Sequence, residues 1–199
     1  MPRVIALNGP VASGKTTLLN ELSNLLPNSY VIPEYYDALD DAHDRLNDYL
    51  EGVYPAYDFQ DYILDYFDTV ANQLANSSYD FIFVERSPVE GILFFAKHDL
   101  DTNRLTQAQY NLLLQRAQLM SFYPNPLDND NAMTLFTDNL SAEQLAQFIL
   151  PLLSRIRTIK LRASLFTLRY RIQQRGRLCE IEHYNDKYMR EMIDSYYRL

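Results

Sequence analysis

The stretch RVIALNGPVASGKTTLLNELSNLL, residues 3–26, restricts the fold of this chain more than any other. An apolar run of strand length, a glycine-bearing loop and an amphipathic run follow one another without interruption. The loop has the spacing Gly9-x4-Gly14-Lys15-Thr16, which in a strand–loop–helix context is the phosphate-cradling P-loop pattern. Glycines let the backbone wrap an anion without a Cβ clash, and successive N–H groups at a helix N-terminus point at phosphate oxygens. We therefore assign phosphate binding to Gly9, Pro10, Val11, Ala12, Ser13, Gly14, Lys15, Thr16 and Thr17. Lys15 would reach the β- and γ-phosphates of a triphosphate, and the Thr16 hydroxyl would ligate Mg²⁺.

Downstream, strand and helix patterns alternate, which predicts an α/β fold with a mostly parallel sheet flanked by helices. After the first strand, about Arg3 to Asn8, strands are expected at YVIPE, ending on Glu34, at YDFIFVER, ending on Glu85-Arg86, and at RTIKLRA. YDFIFVER is apolar on both faces, as suits the centre of such a sheet. Helices are expected near Asp41 to Leu50, over Tyr57 to Leu74, from Pro88 to His98 and from Thr106 to Met120, and the basic stretch LFTLRYRIQQRGRLCE reads as a helix and turn. SAEQLAQFILPLL opens with a capping box, Ser141 and Gln144. YPNPLDNDNA reads as loop, and the last residues, YNDKYMREMIDSYYRL, as helix.

Composition removes some function classes. Lys plus Arg number 18 against 26 Asp plus Glu, a net charge of −8, which disfavours electrostatic binding of a nucleic acid polymer. One cysteine, Cys179, cannot form an intramolecular disulfide and suits a reducing compartment. No apolar run has the length of a membrane span, and the first strand starts too early for a targeting segment. The expectation is a cytoplasmic, single-domain protein over residues 1–199.

Charged groups at predicted strand ends are the candidates for chemistry, because α/β sheets bind ligands there. Glu34 fits a base for a hydroxyl attacking a γ-phosphate, and Glu85 fits a metal ligand, direct or through water. Arg171, Arg175 and Arg177 fit cations over the transferring group, since phosphoryl transfer is mostly positioning and electrostatics. Each also has a structural reading: a surface carboxylate, a Glu85–Arg86 ion pair and a solvated basic face.

Taken in order, the motifs GPVASGKTT, Pro33-Glu34, Phe59-Gln60, Glu85-Arg86-Ser87, FFA (Phe94 to Ala96) and RIQQRGRLCE (Arg171 to Glu180) resemble those of the deoxyribonucleoside kinase family. The resemblance covers the N-terminus to about Lys97, and again from about Ile159. It implies a P-loop kinase fold with an Arg-rich lid at about 171–180, an insertion at about 124–157, and a homodimer. It implies ATP-dependent, Mg²⁺-assisted phosphorylation of a deoxynucleoside 5′-hydroxyl, with Glu34 as base, Arg86 and Lys15 beside the transferred phosphate, and Thr16 and Glu85 serving the metal. By the same resemblance Gln60 grips the base edge, Phe95 stacks on the ring, Tyr49 and Glu180 hold the 3′-hydroxyl, and Arg171, Arg175 and Arg177 close over the triphosphate. Phe59 belongs to the same nucleoside pocket.

Relatives acting on deoxycytidine and purine deoxynucleosides place Arg seven residues after this Gln and Asp six after the Glu of ERS. Here those positions are Phe67 and Gly91. An apolar, roomy corner suits a thymine 5-methyl, so thymidine or another pyrimidine deoxynucleoside is the expected substrate. A glycine at 91 would equally serve close helix packing. Two alternatives share the fold: a thymidylate-kinase-like nucleoside monophosphate kinase and a catalytically inactive structural or regulatory subunit. Against the first, the only basic residues between Glu34 and Leu74 are His43 and Arg45, beside nine Asp and two Glu.

Overall fold

The computed structural model describes residues 2–127 and 130–198, the side chains of residues 178, 179, 197 and 198 excepted. Among the described residues five strands form one parallel sheet: β1 (Arg3–Asn8), β2 (Ser29–Ile32), β3 (Phe81–Glu85), β4 (Ala132–Phe136) and β5 (Thr158–Arg162), in the spatial order β2-β3-β1-β5-β4. The middle of the sheet is buried on both faces, so β1 and β3 carry continuous apolar runs, Val4 to Leu7 and Phe81 to Val84, whereas β5 alternates. Ile5, Leu7, Phe83, Ile159 and Leu161 pack on one side, against α1 (Lys15–Leu25) and α8 (Ala142–Ile149). Val4, Ala6, Ile82 and Val84 pack on the other, against Tyr66, Phe67 and Leu74 of α4 (Ala56–Leu74).

Short helices α2 (Tyr35–Ala38) and α3 (Ala42–Leu50) follow β2. After β3 the chain runs through α5 (Pro88–Gly91), a π-helical turn (Ile92–Ala96) and α6 (Lys97–Asp101) to α7 (Gln107–Leu119). The last strand leads to α9 (Leu165–Arg175), α10 (Leu178–His183) and α11 (Asp186–Arg198). Among the described residues no helix is long and apolar enough to cross a membrane.

The structure departs from the sequence reading in three places. Strand β2 ends at Ile32, and Glu34 stands one step outside the sheet as the residue preceding α2. The helix predicted over Pro88 to His98 continues to Asp101 and carries the π turn, a feature found frequently at functional sites. The segment about 124–157 contains β4, an edge strand paired with β5, and α8, which packs on α1. Of β4 only Leu135 is buried, so its sequence lacks the apolar run that reveals the central strands. Asp128 and Asn129, inside the predicted loop, lie outside the described residues.

Candidate active site

Strand order reverses direction about β1, and the loops at the carboxyl ends of β1, β3 and β2 converge there, the place where open α/β sheets bind ligands. The P-loop connects β1 to α1. Gly9 holds φ +151°, and a Cβ on it would lie 2.6 Å from the Leu161 carbonyl oxygen, so no other residue fits. Gly14, at φ +97°, ends the loop as the residue preceding α1. Lys15 is folded onto its own loop, donating to the carbonyls of Gly9 (3.2 Å) and Pro10 (3.0 Å), and lies 3.5 Å from Glu85 Oε1. Burial, then Arg86, lowers its pKa to about 8, against the pull of Glu85, Glu34 and Glu90. The Thr16 hydroxyl donates to Glu85 Oε2 at 2.6 Å. Burial pushes the Glu85 carboxyl up, but Lys15 and Thr16 outweigh it and hold the group below the ordinary value.

Arg86 follows directly at φ +68°, a strained conformation for a non-glycine residue of the kind that clusters at functional sites. Its ion-pair partner is Glu90, at 3.1 Å, while Glu85 pairs with Lys15, so the Glu85–Arg86 pair of the structural reading is not the bridge that forms. Arg86 also donates to the Gly9 carbonyl (2.7 Å) and to the Tyr196 hydroxyl, and lies 5.2 Å from the Phe95 ring centre. Glu90, fully buried, accepts from the Gly9 N–H at 3.2 Å. Burial raises its pKa, opposed by Arg86 and Lys15.

Glu34 is one-fifth exposed and faces Arg177 at 3.8 Å. Burial, then Glu85, raises its pKa over the opposing Arg86, Lys15 and Arg177. The surface-carboxylate reading does not describe it. The three arginines expected to form a lid are not equivalent. Arg171 donates to the Ala12 carbonyl (3.3 Å) and to Thr137, at its hydroxyl (3.1 Å) and carbonyl (2.8 Å). Arg175 and Arg177 meet at Glu180 Oε1, 3.3 and 3.2 Å away, and Arg177 lies 4.1 Å from the Tyr36 ring centre. Gly176 at φ +71° turns the chain between them, as a left-handed helix C-cap.

Two cavities occupy this region. One, of about 250 Å³, is lined by Glu34, Tyr49, Phe59, Gln60, Phe67, Arg86, Gly91, Phe95, Arg177 and Glu180, so every nucleoside residue expected from sequence borders one space. The other, of about 390 Å³, runs along Ala12 to Leu18 and includes Thr137 and Arg171. Ala12, Lys15, Glu85 and Arg175 border both. A Cβ at Gly91 would meet nothing within 4 Å, so this glycine does not serve close helix packing.

Several residues at the site escaped the sequence reading. Asp99, fully buried, accepts from the Tyr49 hydroxyl (2.8 and 3.0 Å) and from Gln60 Nε2 (3.3 Å), and pairs with Arg104 at 3.3 Å. Tyr49, expected with Glu180 at the 3′-hydroxyl, donates its own hydroxyl to Asp99. Glu90, Arg104, Thr137 and Tyr196 escaped it as well. None lies in a spacing motif; only their tertiary partners mark them.

A family model described as deoxynucleoside kinase matches residues 5–130. Among solved structures, deoxyadenosine kinase from M. mycoides with bound dATP has 22% identity and a TM-score of 0.63, covering 98% of this chain and 82% of that one. The same enzyme with bound dCTP has 19% identity and a TM-score of 0.59, covering 98% and 81%. With the products dCMP and a flexible dCDP bound, it has 22% identity, a TM-score of 0.58 and the same coverage. A comparison with curated proteins returns no match.

Proposed function

The chain belongs to the deoxynucleoside kinase family, and from that premise we propose that it transfers the γ-phosphate of ATP to the 5′-hydroxyl of thymidine or another pyrimidine deoxynucleoside. The observation that carries this reading is the meeting of two cavities at Lys15, Glu85 and Arg175. A donor triphosphate along the P-loop and a nucleoside in the aromatic cavity then bring the γ-phosphate and the 5′-hydroxyl together where the fixed charges are densest. Holding two reactants in attacking geometry supplies much of the rate enhancement of such a transfer.

Glu34 acts as the base. Its raised pKa suits proton acceptance better than that of an ordinary carboxylate, since efficient bases have values nearer the working pH. Arg86, held by Glu90 and the Gly9 carbonyl, orients the hydroxyl and takes charge from the transferred group. Lys15 exchanges its contacts with its own loop carbonyls for phosphate oxygens, and Arg175 and Arg177 close from the lid.

Thr16 and Glu85 already present a hydroxyl and a carboxylate to one point, the hard oxygen donors that Mg²⁺ takes. When bound, Mg²⁺ would neutralise charge on the β- and γ-phosphate oxygens. The pyrimidine preference is supported by the corner at Phe67 and Gly91, neither of which is charged and which leaves space beside Gly91; Arg104, which also borders the cavity, is paired with Asp99. Asp99 does not border the cavity; its carboxylate faces Gln60, Tyr49 and Arg104 instead.

The test is phosphate transfer from MgATP to thymidine, deoxycytidine, deoxyadenosine, deoxyguanosine and thymidine monophosphate in parallel, with Glu34→Gln as control. Thymidine should lead, and the variant should be inactive. A purine nucleoside in first place would overturn the base preference, and transfer to the monophosphate alone would overturn the acceptor.

A further inference from the structure

Arg86 is a buried cation, and a charge taken out of water needs partners. Its Nη1 faces three oxygens: the Gly9 carbonyl at 2.7 Å, Glu90 Oε1 at 3.1 Å and the Tyr196 hydroxyl. The first belongs to the P-loop, and the second lies one helical turn beyond Arg86 itself. The third comes from α11, 110 positions away in the chain. Because all three bonds end on one nitrogen, none of them takes Nε or Nη2 from the cavity that Arg86 borders.

Glu90 and Tyr196 hold the guanidinium in different ways. A carboxylate at 3.1 Å cancels part of the charge that a transferring phosphoryl group would use. A hydroxyl fixes the same nitrogen with a dipole and leaves the charge in place. Burial, over the opposing Arg86, holds the Tyr196 phenol well above its ordinary pKa, so this hydroxyl is neutral at neutral pH. Its oxygen accepts from Arg86, and as a donor it draws the Glu90 carboxyl down against the rise that burial causes.

The ring is placed as firmly as the hydroxyl. It is buried and stacked on Phe94 of the π turn, with ring centres 3.6 Å apart and planes at 12°. The Arg86 guanidinium carbon lies 5.8 Å from its centre and 5.2 Å from that of Phe95. Consecutive residues of the turn thus serve Arg86 twice, Phe95 directly and Phe94 through Tyr196. Met189, Met192 and Ile193 of α11 pack with Val11 and Ala12 of the P-loop and with Leu168 and Ile172 of α9.

We propose that Tyr196 is a positioning residue for phosphoryl transfer: through its hydroxyl, α11 sets the Arg86 guanidinium at the angle from which its other N–H groups meet the transferred group. This inference rests on the kinase reading, in which Arg86 touches that group. It also accounts for the φ of +68° at Arg86, since a residue in so sparse a conformation persists only where its surroundings hold it.

Tyr196→Phe keeps the ring on Phe94 and takes away only the hydroxyl. Steady-state kinetics use radiolabelled MgATP and whichever nucleoside the unmutated chain phosphorylates fastest, with folding checked by circular dichroism and thermal melting. One hydrogen bond to a charged group is lost, so kcat should fall about ten- to hundredfold, while KM for nucleoside and for MgATP stays within about threefold. A role in packing alone would leave kcat unchanged, because phenylalanine preserves the packing. Arg86→Lys then separates action through Arg86 from action elsewhere: in that background Tyr196→Phe should lower kcat less than about threefold further. The inference is overturned by a folded Tyr196→Phe protein with kcat within about twofold of the parent, by a loss confined to KM, or by losses that multiply in the double variant. Failure of the kinase reading is seen separately, as absence of phosphate transfer by the unmutated chain.

Discussion

Asp99→Asn exchanges one carboxylate oxygen for an amino group inside the bond network behind the nucleoside cavity. An ionised carboxylate only accepts hydrogen bonds. It therefore dictates which end of the Gln60 amide faces it: Nε2, at 3.3 Å, leaving Oε1 for the cavity. It also takes the Tyr49 hydroxyl and the charge of Arg104. Asparagine brings one acceptor and two donors to the same place, so either the Gln60 amide turns over or a buried donor loses its partner. One broken buried hydrogen bond costs about 1–3 kcal/mol. The Arg104 side chain is 31% exposed, so solvent screens the lost ion pair and adds little. For a chain of this length that corresponds to a melting temperature lower by about 3–10 °C.

The catalytic consequence differs in kind. An overturned amide presents the wrong group to the base edge, so KM for the nucleoside should rise about five- to thirtyfold. The ranking of nucleosides should compress, and kcat should change less than about threefold, because Asp99 lies apart from the phosphate end. Tyr49→Phe removes a donor to Asp99 without touching Gln60, and should leave the ranking intact. Steady-state kinetics on both variants with several nucleosides decides the matter. A folded Asp99→Asn protein with unchanged KM and ranking would refute the reasoning, as would a loss confined to kcat. Burial raises the Asp99 pKa against the Tyr49 bond, Arg104 and the Gln60 bond. As pH falls through that raised value the protonated acid gains a donor like asparagine's, so nucleoside KM should also climb on the acid side.

Three further outcomes follow from the same geometry. In the proposed role of base Glu34 must be unprotonated, so kcat/KM should fall as pH drops through a value above the ordinary 4.5; Glu34→Gln should lower kcat by about 10²- to 10⁴-fold while the nucleoside still binds by calorimetry, and a fully active variant would remove Glu34 from the mechanism. Gly9→Ala places a methyl carbon 2.6 Å from the Leu161 carbonyl at a φ that side chains rarely adopt, and should destabilise the chain by about 2–4 kcal/mol; an unchanged denaturation midpoint would contradict the loop geometry. Glu85→Gln removes the charged partner of Lys15 and one of the oxygens proposed for Mg²⁺, so the Mg²⁺ concentration for half-maximal rate should rise at least about tenfold, and an unaltered Mg²⁺ dependence would place the metal elsewhere.

What the sequence disclosed and what it withheld divide along a physical line. The P-loop was legible because its residues are covalent neighbours, and phosphate geometry imposes their spacing. Glu34, Gln60, Glu85, Arg86 and Phe95 were legible at strand ends or in short motifs, and all five border the nucleoside cavity. The residues that hold them carry no such signal, because each acts across a long separation. Asp99 lies 39 positions from Gln60, Glu90 81 from Gly9, and Thr137 124 from Ser13. Each of these contacts exists only once the parallel crossovers have brought distant strand ends together. The π turn at Ile92–Ala96 was hidden for a related reason: its residues are ordinary helix formers, and the widened turn reflects packing beside the cavity rather than local preference. Strand β4 was hidden because an edge strand buries little, and AMTLF follows a stretch rich in Asn, Asp and Pro. Yet β4 delivers Thr137 to the P-loop carbonyl and to Arg171, and it leads into Leu140, Ser141 and Ala142, which line the cavity along the loop. The least legible strand of the sheet is thus the one on which the donor end of the site depends, since a phosphate loop is recognisable by itself but becomes a cavity only when a second wall is set against it.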